Sequence, residues 1–271
     1  MTDSSRWAPD VRRLTGEFVG TAFLLAAVVG SGIMAENLTD DVGLQLLQNA
    51  FATAGVLTAL ILAFGSVSGA HFNPAVTLTD RWFGGIDTPT ACWYVAAQVL
   101  GGTVGVIVAN VMFDLDAVNW STRDRSSLNL VFAEGVATLG LLLVIFGVVR
   151  SGRTSVVAFA VGAYIAGAYY FTSSTSFANP AVTVARIFSD TFAGIRPTDA
   201  PAFIAAQLIA VVAATALIRI LHPDMGEVAD RVVLPHDDHD ADDIAHHGAS
   251  STGRRPGPKV RVATRSGRLP P

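Results

Sequence analysis

Two asparagines, Asn73 and Asn179, each open the same five-residue sequence, Asn-Pro-Ala-Val-Thr. Asparagine is a strong helix N-cap residue and proline is favoured at the first helical position, so both copies predict the start of a helix. The helices that follow, roughly 74–82 and 180–189, are too short to cross a bilayer. Since a helix N-terminus carries about +0.5 elementary charge, two facing N-termini would repel cations. The asparagine amides would remain as hydrogen-bond donors to a neutral solute.

The pentapeptides belong to a longer repeat. Each half of the chain carries Glu-x-x-x-Thr, beginning at Glu17 or Glu134, then the pentapeptide, then Ala-Ala-Gln, ending at Gln98 or Gln207. The pentapeptide lies between the second and third apolar segment of each half. Because three is an odd number, the two halves insert in opposite directions, and sites in such inverted repeats lie near the bilayer midplane. The two short helices are therefore expected to enter from opposite faces and to meet at their N-termini.

The composition is that of a membrane protein. The 271 residues are 51% hydrophobic and 15% charged, whereas soluble domains carry about 25% charged residues. A net charge of −4, unevenly spread, indicates no nucleic-acid partner. A bilayer-spanning helix needs about 20 apolar residues. Six segments reach or approach that length: roughly 14–35, 44–67, 90–113, 128–149, 155–172 and 201–221.

These observations predict an all-α membrane protein with six transmembrane helices and two re-entrant half-helices in an inverted 3+3 repeat. The single cysteine, Cys92, excludes an internal disulfide and a cysteine-based metal site, and we expect its side chain to be small and buried. We expect no metal site and no cofactor. His71, beside the first half-helix, is expected to shape its loop or the inner pore wall rather than to do chemistry.

The acids inside the spans need a separate interpretation, because charged groups in a membrane are costly and often functional. Glu17 and Glu134 stand one span before each irregular loop, so we expect each to accept hydrogen bonds from the backbone N–H groups of the loop in its own half. A proton relay through the two acids is the alternative. Gln98 and Gln207 are expected to form hydrogen bonds between helices.

The motifs SGAHFNPAVTL and FANPAVT, both Glu-x-x-x-Thr pairs and both Ala-Ala-Gln elements resemble the aquaporin and aquaglyceroporin family, the major intrinsic proteins, over about residues 11–221. The resemblance implies a passive channel for water or small uncharged solutes, with no enzymatic activity and no cofactor. It also implies a homotetramer with one pore in each subunit. The pore motifs would be Asn73, Pro74 and Ala75 in the first half and Asn179, Pro180 and Ala181 in the second.

The resemblance also implies a selectivity filter of four positions, which spacing from the motifs puts at Thr53, Gly167, Ser176 and Val182. The family usually has arginine where this chain has Val182, and the aromatic residue and histidine of water-selective members are absent from these positions. We therefore expect a wide constriction without a fixed charge. Arg186, one helical turn further out, either replaces the missing arginine or, as we favour, pairs with an acid at the outer mouth, Asp190.

A wide filter without arginine resembles that of a bacterial subgroup linked to arsenic. This favours neutral metalloid hydroxides such as arsenite, methylated arsenicals or glycerol-like polyols as solutes, together with water. A mainly water-conducting aquaporin is the first alternative, and a coupled secondary transporter is the second. A non-transporting junction or sensor protein has only the histidine-rich tail in its favour, and a membrane enzyme lacks a nucleophile–base pair.

The termini differ from the membrane domain, 14–221, which divides into repeats of about 14–113 and 128–221. Residues 1–13 are polar, and residues 222–271 form a His/Asp-rich and then Arg-rich tail that we expect to be disordered. The tail histidines, His236, His239, His246 and His247, could bind a transition metal, but we favour a solvated tail because they have no fixed spacing on a helix. Lysines and arginines mark cytoplasmic loops, and their distribution predicts an inner-membrane protein with both termini in the cytoplasm. Arg123 and Arg125, in the loop between spans 3 and 4, oppose this orientation.

Overall fold

The computed structural model describes residues 10–223, which form eight α-helices. Six of the helices are long and apolar enough to cross a membrane. The bounds are α1 Val11–Leu38, α2 Val42–Ser68, α3 Pro74–Phe83, α4 Thr88–Met112, α5 Leu128–Arg150, α6 Val157–Phe171, α7 Pro180–Ala185 and α8 Ala200–Leu221. Short 3₁₀ segments, Thr154–Val156 and Arg186–Phe188, precede α6 and follow α7. The tail from residue 224 and the first nine residues lie outside the described part.

The predicted fold class is confirmed: six long helices and two short ones follow each other in the expected order. Aspartates set the beginnings of three long helices. Asp10, Asp41 and Asp87 each accept a hydrogen bond from a backbone N–H two or three residues later, which satisfies one of the free donors of the first turn. Because Asp10 caps α1, this helix begins three residues before the predicted span.

The packing repeats between the two halves. Helix α1 packs against α4 and α2, and α5 packs in the same way against α8 and α6. Each half-helix, α3 and α7, contacts both α4 and α8. The approach of α1 to α4 depends on two glycines, Gly101 and Gly105, because a Cβ atom at either position would overlap a backbone carbonyl oxygen of α1. Small residues permit such close helix contacts in lipid.

The loops that lead into α3 and α7 share an unusual backbone. Ala70 and Phe72 have φ of 48° and 49°, and Ser176 and Ala178, at the same two offsets from the second asparagine, have φ of 52° and 47°. Such left-handed non-glycine residues cost of order 1–3 kcal/mol each and persist only where surrounding contacts hold them. The sequence repeat is therefore also a repeat of backbone strain.

Two expectations differ from the structure. The second half-helix was expected over 180–189, but α7 ends at Ala185, tightens into a 3₁₀ turn and becomes extended at Ser189, with φ −138°. This change of backbone removes the residue that follows, Asp190, from the helix surface. Cys92 is exposed rather than buried, because it lies on the outer face of α4.

Candidate functional site

The two asparagines tie the half-helices together at their N-termini. Each Oδ1 caps its own helix by accepting the backbone N–H two residues later, at 2.8 and 2.9 Å. Asn73 Nδ2 donates to the Ala178 carbonyl oxygen at 2.8 Å, and Asn179 Nδ2 donates to the Phe72 carbonyl oxygen at 2.7 Å. One amide N–H of each asparagine therefore crosses to the opposite loop. The prolines and alanines of both motifs are buried in the first turns: Pro74, Ala75, Pro180 and Ala181.

Glu17 holds the first strained loop from within α1. Its carboxylate accepts the backbone N–H groups of His71 at 3.0 Å and Phe72 at 2.8 Å. It also accepts the Ser68 hydroxyl at 2.6 Å and the Gln98 side-chain amide at 2.8 Å. A fully buried carboxylate is thus surrounded by donors, which is how proteins keep such a group inside.

Glu134 repeats this arrangement in the second half. Its carboxylate accepts the backbone N–H groups of Phe177 and Ala178, both at 2.8 Å, and the Gln207 amide at 2.7 Å. The Gln207 amide also donates to the threonine of the second pentapeptide, Thr183, at 2.9 Å. Gln98 makes the equivalent bond in the first half. The three repeated sequence markers therefore meet in one hydrogen-bonded unit per half.

A single cavity passes both asparagines and joins the two halves. Its walls are mostly aliphatic side chains from α2, α5 and α6. Polar groups enter it only at a few places. They are Thr53, His71, Asn73, Tyr169, Ser176, Asn179 and Arg186. Apolar walls with a few convergent polar groups are typical of a small-molecule site.

Three of the four positions assigned to the filter line this cavity: Thr53, Ser176 and Val182. Gly167 does not, because it faces outward on α6, and a Cβ atom there would have no neighbour within 4 Å. Tyr169 lines the cavity instead, with its hydroxyl 3.1 Å from Thr53 Oγ1. The structure therefore differs from the expectation of four small lining residues at α6, where the Tyr169 side chain and not Gly167 lines the cavity.

Arg186 reaches the cavity and is 2% exposed. Its Nε donates to the Ala193 carbonyl oxygen, and its guanidinium stacks on the Phe177 ring, 3.5 Å from the centroid. Among the described residues no ion pair joins it to Asp190, whose carboxylate accepts the backbone N–H of Thr122 at 2.7 Å. The favoured pairing is therefore wrong, because the chain leaves the helix before Asp190.

A second buried arginine, Arg125, was not expected at the site. It is 6% exposed and comes from the loop between α4 and α5. Its Nε donates to the Gly194 carbonyl oxygen at 2.8 Å and its Nη1 to that of Ser174 at 3.0 Å, and it lies 4.8 Å from the centroid of the Phe177 ring. Burial, and then the charge of Arg186, lowers the pKa of the Arg125 guanidinium to about 9, so it stays charged at neutral pH. The sequence signal that could have indicated a role for Arg125 was an arginine in a loop that the charge distribution otherwise assigns to the outside.

His71 lies at the other end of the cavity lining. Its Nδ1 is 3.1 Å from the Thr77 hydroxyl, and its Nε2 is 3.6 Å from an Asp80 carboxylate oxygen. Within residues 10–223, no group of three histidine, cysteine or acidic side chains is placed to hold a metal ion. The geometry therefore offers hydrogen bonds and shape, and no nucleophile with an adjacent base.

Comparison with known proteins gives a consistent answer. A family model described as major intrinsic protein matches residues 4–156. Aquaglyceroporin AqpS of Rhizobium meliloti (strain 1021) is 47% identical over 210 residues, which cover 78% of this chain and 90% of the relative. Nodulin-26 of Glycine max is 32% identical over 157 residues, 56% of each chain.

A solved structure has the same fold. The X-ray structure of the aquaglyceroporin from Plasmodium falciparum aligns with a TM-score of 0.63 at 23% identity, over 79% of this chain and 98% of the other. Since the family model matches more than half of the chain and one relative is 47% identical over most of both chains, this multi-pass membrane protein belongs to the major intrinsic protein family, whose members are channels rather than enzymes.

Proposed function

We propose that the cavity is a passive pore for small uncharged solutes. Its favoured solutes are neutral metalloid hydroxides such as arsenite, methylated arsenicals and glycerol-like polyols, together with water. The observation that carries the proposal is the pair Asn73 and Asn179, which line a mostly apolar cavity and each keep one side-chain amide N–H beyond the bond to the opposite loop. A solute with a few hydroxyl groups can replace its water there. An ion would lose its hydration against the aliphatic walls.

Exclusion of cations has two sources along this pore. The N-termini of α3 and α7 meet at the asparagines, and each contributes a partial positive charge. Arg186 adds a full positive charge at the cavity wall, one turn beyond Val182. We therefore assign Arg186 the part of the filter arginine that this chain lacks at Val182.

The breadth of the filter depends on Val182 and Tyr169. Valine leaves open the space that an arginine would fill, which favours solutes wider than water. The best-matched relative named above is an aquaglyceroporin, and this supports polyols as well. A mainly water-conducting pore is the second candidate, because the contact between the Tyr169 and Thr53 hydroxyls narrows the lumen.

The same proposal covers roles outside the lumen. Glu17 and Glu134 support the loops, since their carboxylates are occupied by loop N–H groups and glutamine amides. This argues against a proton relay and hence against a coupled transporter. We further propose a homotetramer in the inner membrane with both termini in the cytoplasm. Under that orientation Arg125 belongs to the outer mouth.

The test is stopped-flow light scattering on proteoliposomes, with water, glycerol and arsenous acid measured separately. Wild type should pass all three faster than empty liposomes. Val182→Arg should suppress glycerol and arsenous acid and retain water, whereas Val182→Leu, which adds bulk without charge, should have a smaller effect. If wild type passes none of the three faster than empty liposomes, the pore proposal is wrong.

A further inference from the structure

We propose that the outer end of the pore contains a binding site for a singly charged oxyanion, formed by the Arg186 guanidinium and the Ser176 hydroxyl, and that an anion bound there blocks the entry of neutral solutes. This proposal rests on the pore described under Proposed function. It assigns a negatively charged ligand to the mouth, whereas the solutes that pass through the pore are neutral.

The first observation is an unpaired hydroxyl. Ser176 is 3% exposed, lines the cavity and holds a left-handed backbone with φ of 52°. Its Oγ is buried and has no hydrogen-bond partner among the described residues. A buried hydroxyl is costly when it is left unpaired. A ligand that accepts a hydrogen bond from this hydroxyl therefore gains binding free energy from a donor that is already in place.

The second observation is an unused guanidinium fork. Arg186 uses Nε to bind the Ala193 carbonyl oxygen, and this is the one side-chain hydrogen bond that it makes within residues 10–223. The stack on Phe177 fixes the plane of the guanidinium beside the lumen. Two parallel N–H donors in one plane match two oxygens of an oxyanion, and such charge-assisted bonds are stronger than neutral ones.

The charge around the site favours a negatively charged ligand. Arg125 lies against the same ring as Arg186, and its side-chain donors go to backbone carbonyl oxygens, which leaves its charge without a direct ion pair. Arg123 adds further positive charge, and Glu134 offsets only part of it. The net positive charge that remains attracts an anion.

The other carboxylates of the mouth are occupied. Asp199 accepts the Arg125 backbone N–H and an Arg196 guanidinium, and Asp190 accepts the Thr122 hydroxyl and backbone N–H. Glu36 accepts a backbone N–H. None of these three acids is among the residues that line the cavity. A bound oxyanion would therefore face donors and no competing acceptor charge from these acids.

The anion should stop at this point. The rest of the cavity is lined mainly by apolar side chains, which include Val182 and aliphatic residues of α2, α5 and α6. An anion that moved further would lose its hydration and its contact with the Arg186 guanidinium, and would face apolar side chains instead. Residence at the mouth is thus favoured over passage, and an occupied mouth excludes the neutral solutes behind it.

The experiment uses methanesulfonate, a singly charged oxyanion, and dimethyl sulfone, a neutral molecule of the same shape. Binding to the full chain in lipid nanodiscs is measured by saturation-transfer difference NMR on the methyl protons. We expect a signal for methanesulfonate that dimethyl sulfone does not give. Arg186→Met should weaken binding about tenfold or more, and Ser176→Ala should weaken it severalfold. Arg196→Gln, which removes a half-buried, acid-paired arginine outside the cavity lining, should leave binding unchanged.

A flux measurement completes the test. External methanesulfonate should slow glycerol entry into proteoliposomes at least severalfold compared with chloride of equal ionic strength, and Arg186→Met should remove the difference. The binding measurement alone can overturn the proposal. It does so if folded wild type gives no methanesulfonate signal, or if Arg186→Met gives a signal equal to that of wild type. If Arg186→Met does not fold, the Ser176→Ala comparison decides in its place. Binding without glycerol or arsenous acid flux would instead retain the site and reject the pore function.

Discussion

The hydroxyl groups of Thr53 and Tyr169 lie 3.1 Å apart, although the residues are 116 positions apart in the chain. One comes from α2 and the other from α6, two helices that pack directly against each other, so the contact joins the two halves of the repeat at the cavity wall. It places an aromatic ring at the wall of a cavity that the sequence predicts to be lined by four small residues.

Removal of the Tyr169 ring should widen the pore. We expect Tyr169→Ala to raise the permeability to polyols larger than glycerol severalfold, with a smaller change for water, because the cavity gains the space that the lining ring fills. Stopped-flow measurements with polyols of increasing size would show this. Tyr170→Ala is the matched control, since its neighbouring ring is 53% exposed on the outer surface of α6. Equal effects of the two substitutions would contradict the assignment of Tyr169 to the filter.

The loop acids should be required for stability. In Glu134→Gln, the new side-chain NH₂ group would face another donor, either the Gln207 amide or a loop N–H. At least one charge-assisted hydrogen bond is therefore lost. We expect a loss of about 2 kcal/mol and a lower melting temperature. Glu17→Gln should behave alike because its contacts repeat. The stability of both variants is measured by thermal unfolding in detergent, with size-exclusion chromatography as the readout of folded protein. Full stability combined with loss of proton-coupled uptake would favour the relay instead.

A charge at the midplane should change ion exclusion. Asn179→Asp keeps a good N-cap residue for α7 but loses the amide that donates to the Phe72 carbonyl oxygen, and it places a carboxylate beside the lumen. We expect measurable cation conductance in planar bilayers where wild type has none. Asn179→Ser, a neutral N-cap residue, should lose the same cross-loop bond without the cation conductance. Conductance in both variants would attribute exclusion to loop packing rather than to charge.

The contact between α1 and α4 should leave no space for an added side-chain methyl group. A Cβ atom at Gly105 would overlap the Ala22 carbonyl oxygen, so Gly105→Ala must push the helices apart. We expect a destabilisation of about 1–3 kcal/mol. Gly55→Ala, at an exposed position of α2 with nothing within 4 Å, should be neutral or slightly stabilising because alanine favours helix by about 1 kcal/mol. Equal melting temperatures for the two variants would contradict this close contact.

The sequence by itself determined the features that depend on local rules. Long apolar segments give the spans, and Asn73-Pro74 and Asn179-Pro180 give the half-helix starts, because capping and span length are properties of a few neighbouring residues. The repeat of Glu17 and Glu134 before each loop led to the inverted topology. These signals need no knowledge of how the helices rotate about their axes.

Only the tertiary structure decided which of the residues predicted for the filter line the cavity. Gly167 and Tyr169 differ by two positions, which on an α-helix is a rotation of about 200°, so counting back from Asn179 across a non-helical loop cannot tell the lumen face from the lipid face. Arg125 and Arg186 meet at one aromatic ring because the loop between α4 and α5 packs against the segment that follows α7, a contact between segments far apart in the chain. Local sequence sets helix limits, whereas the packing of the two halves sets helix rotation and loop position, and the filter depends on these.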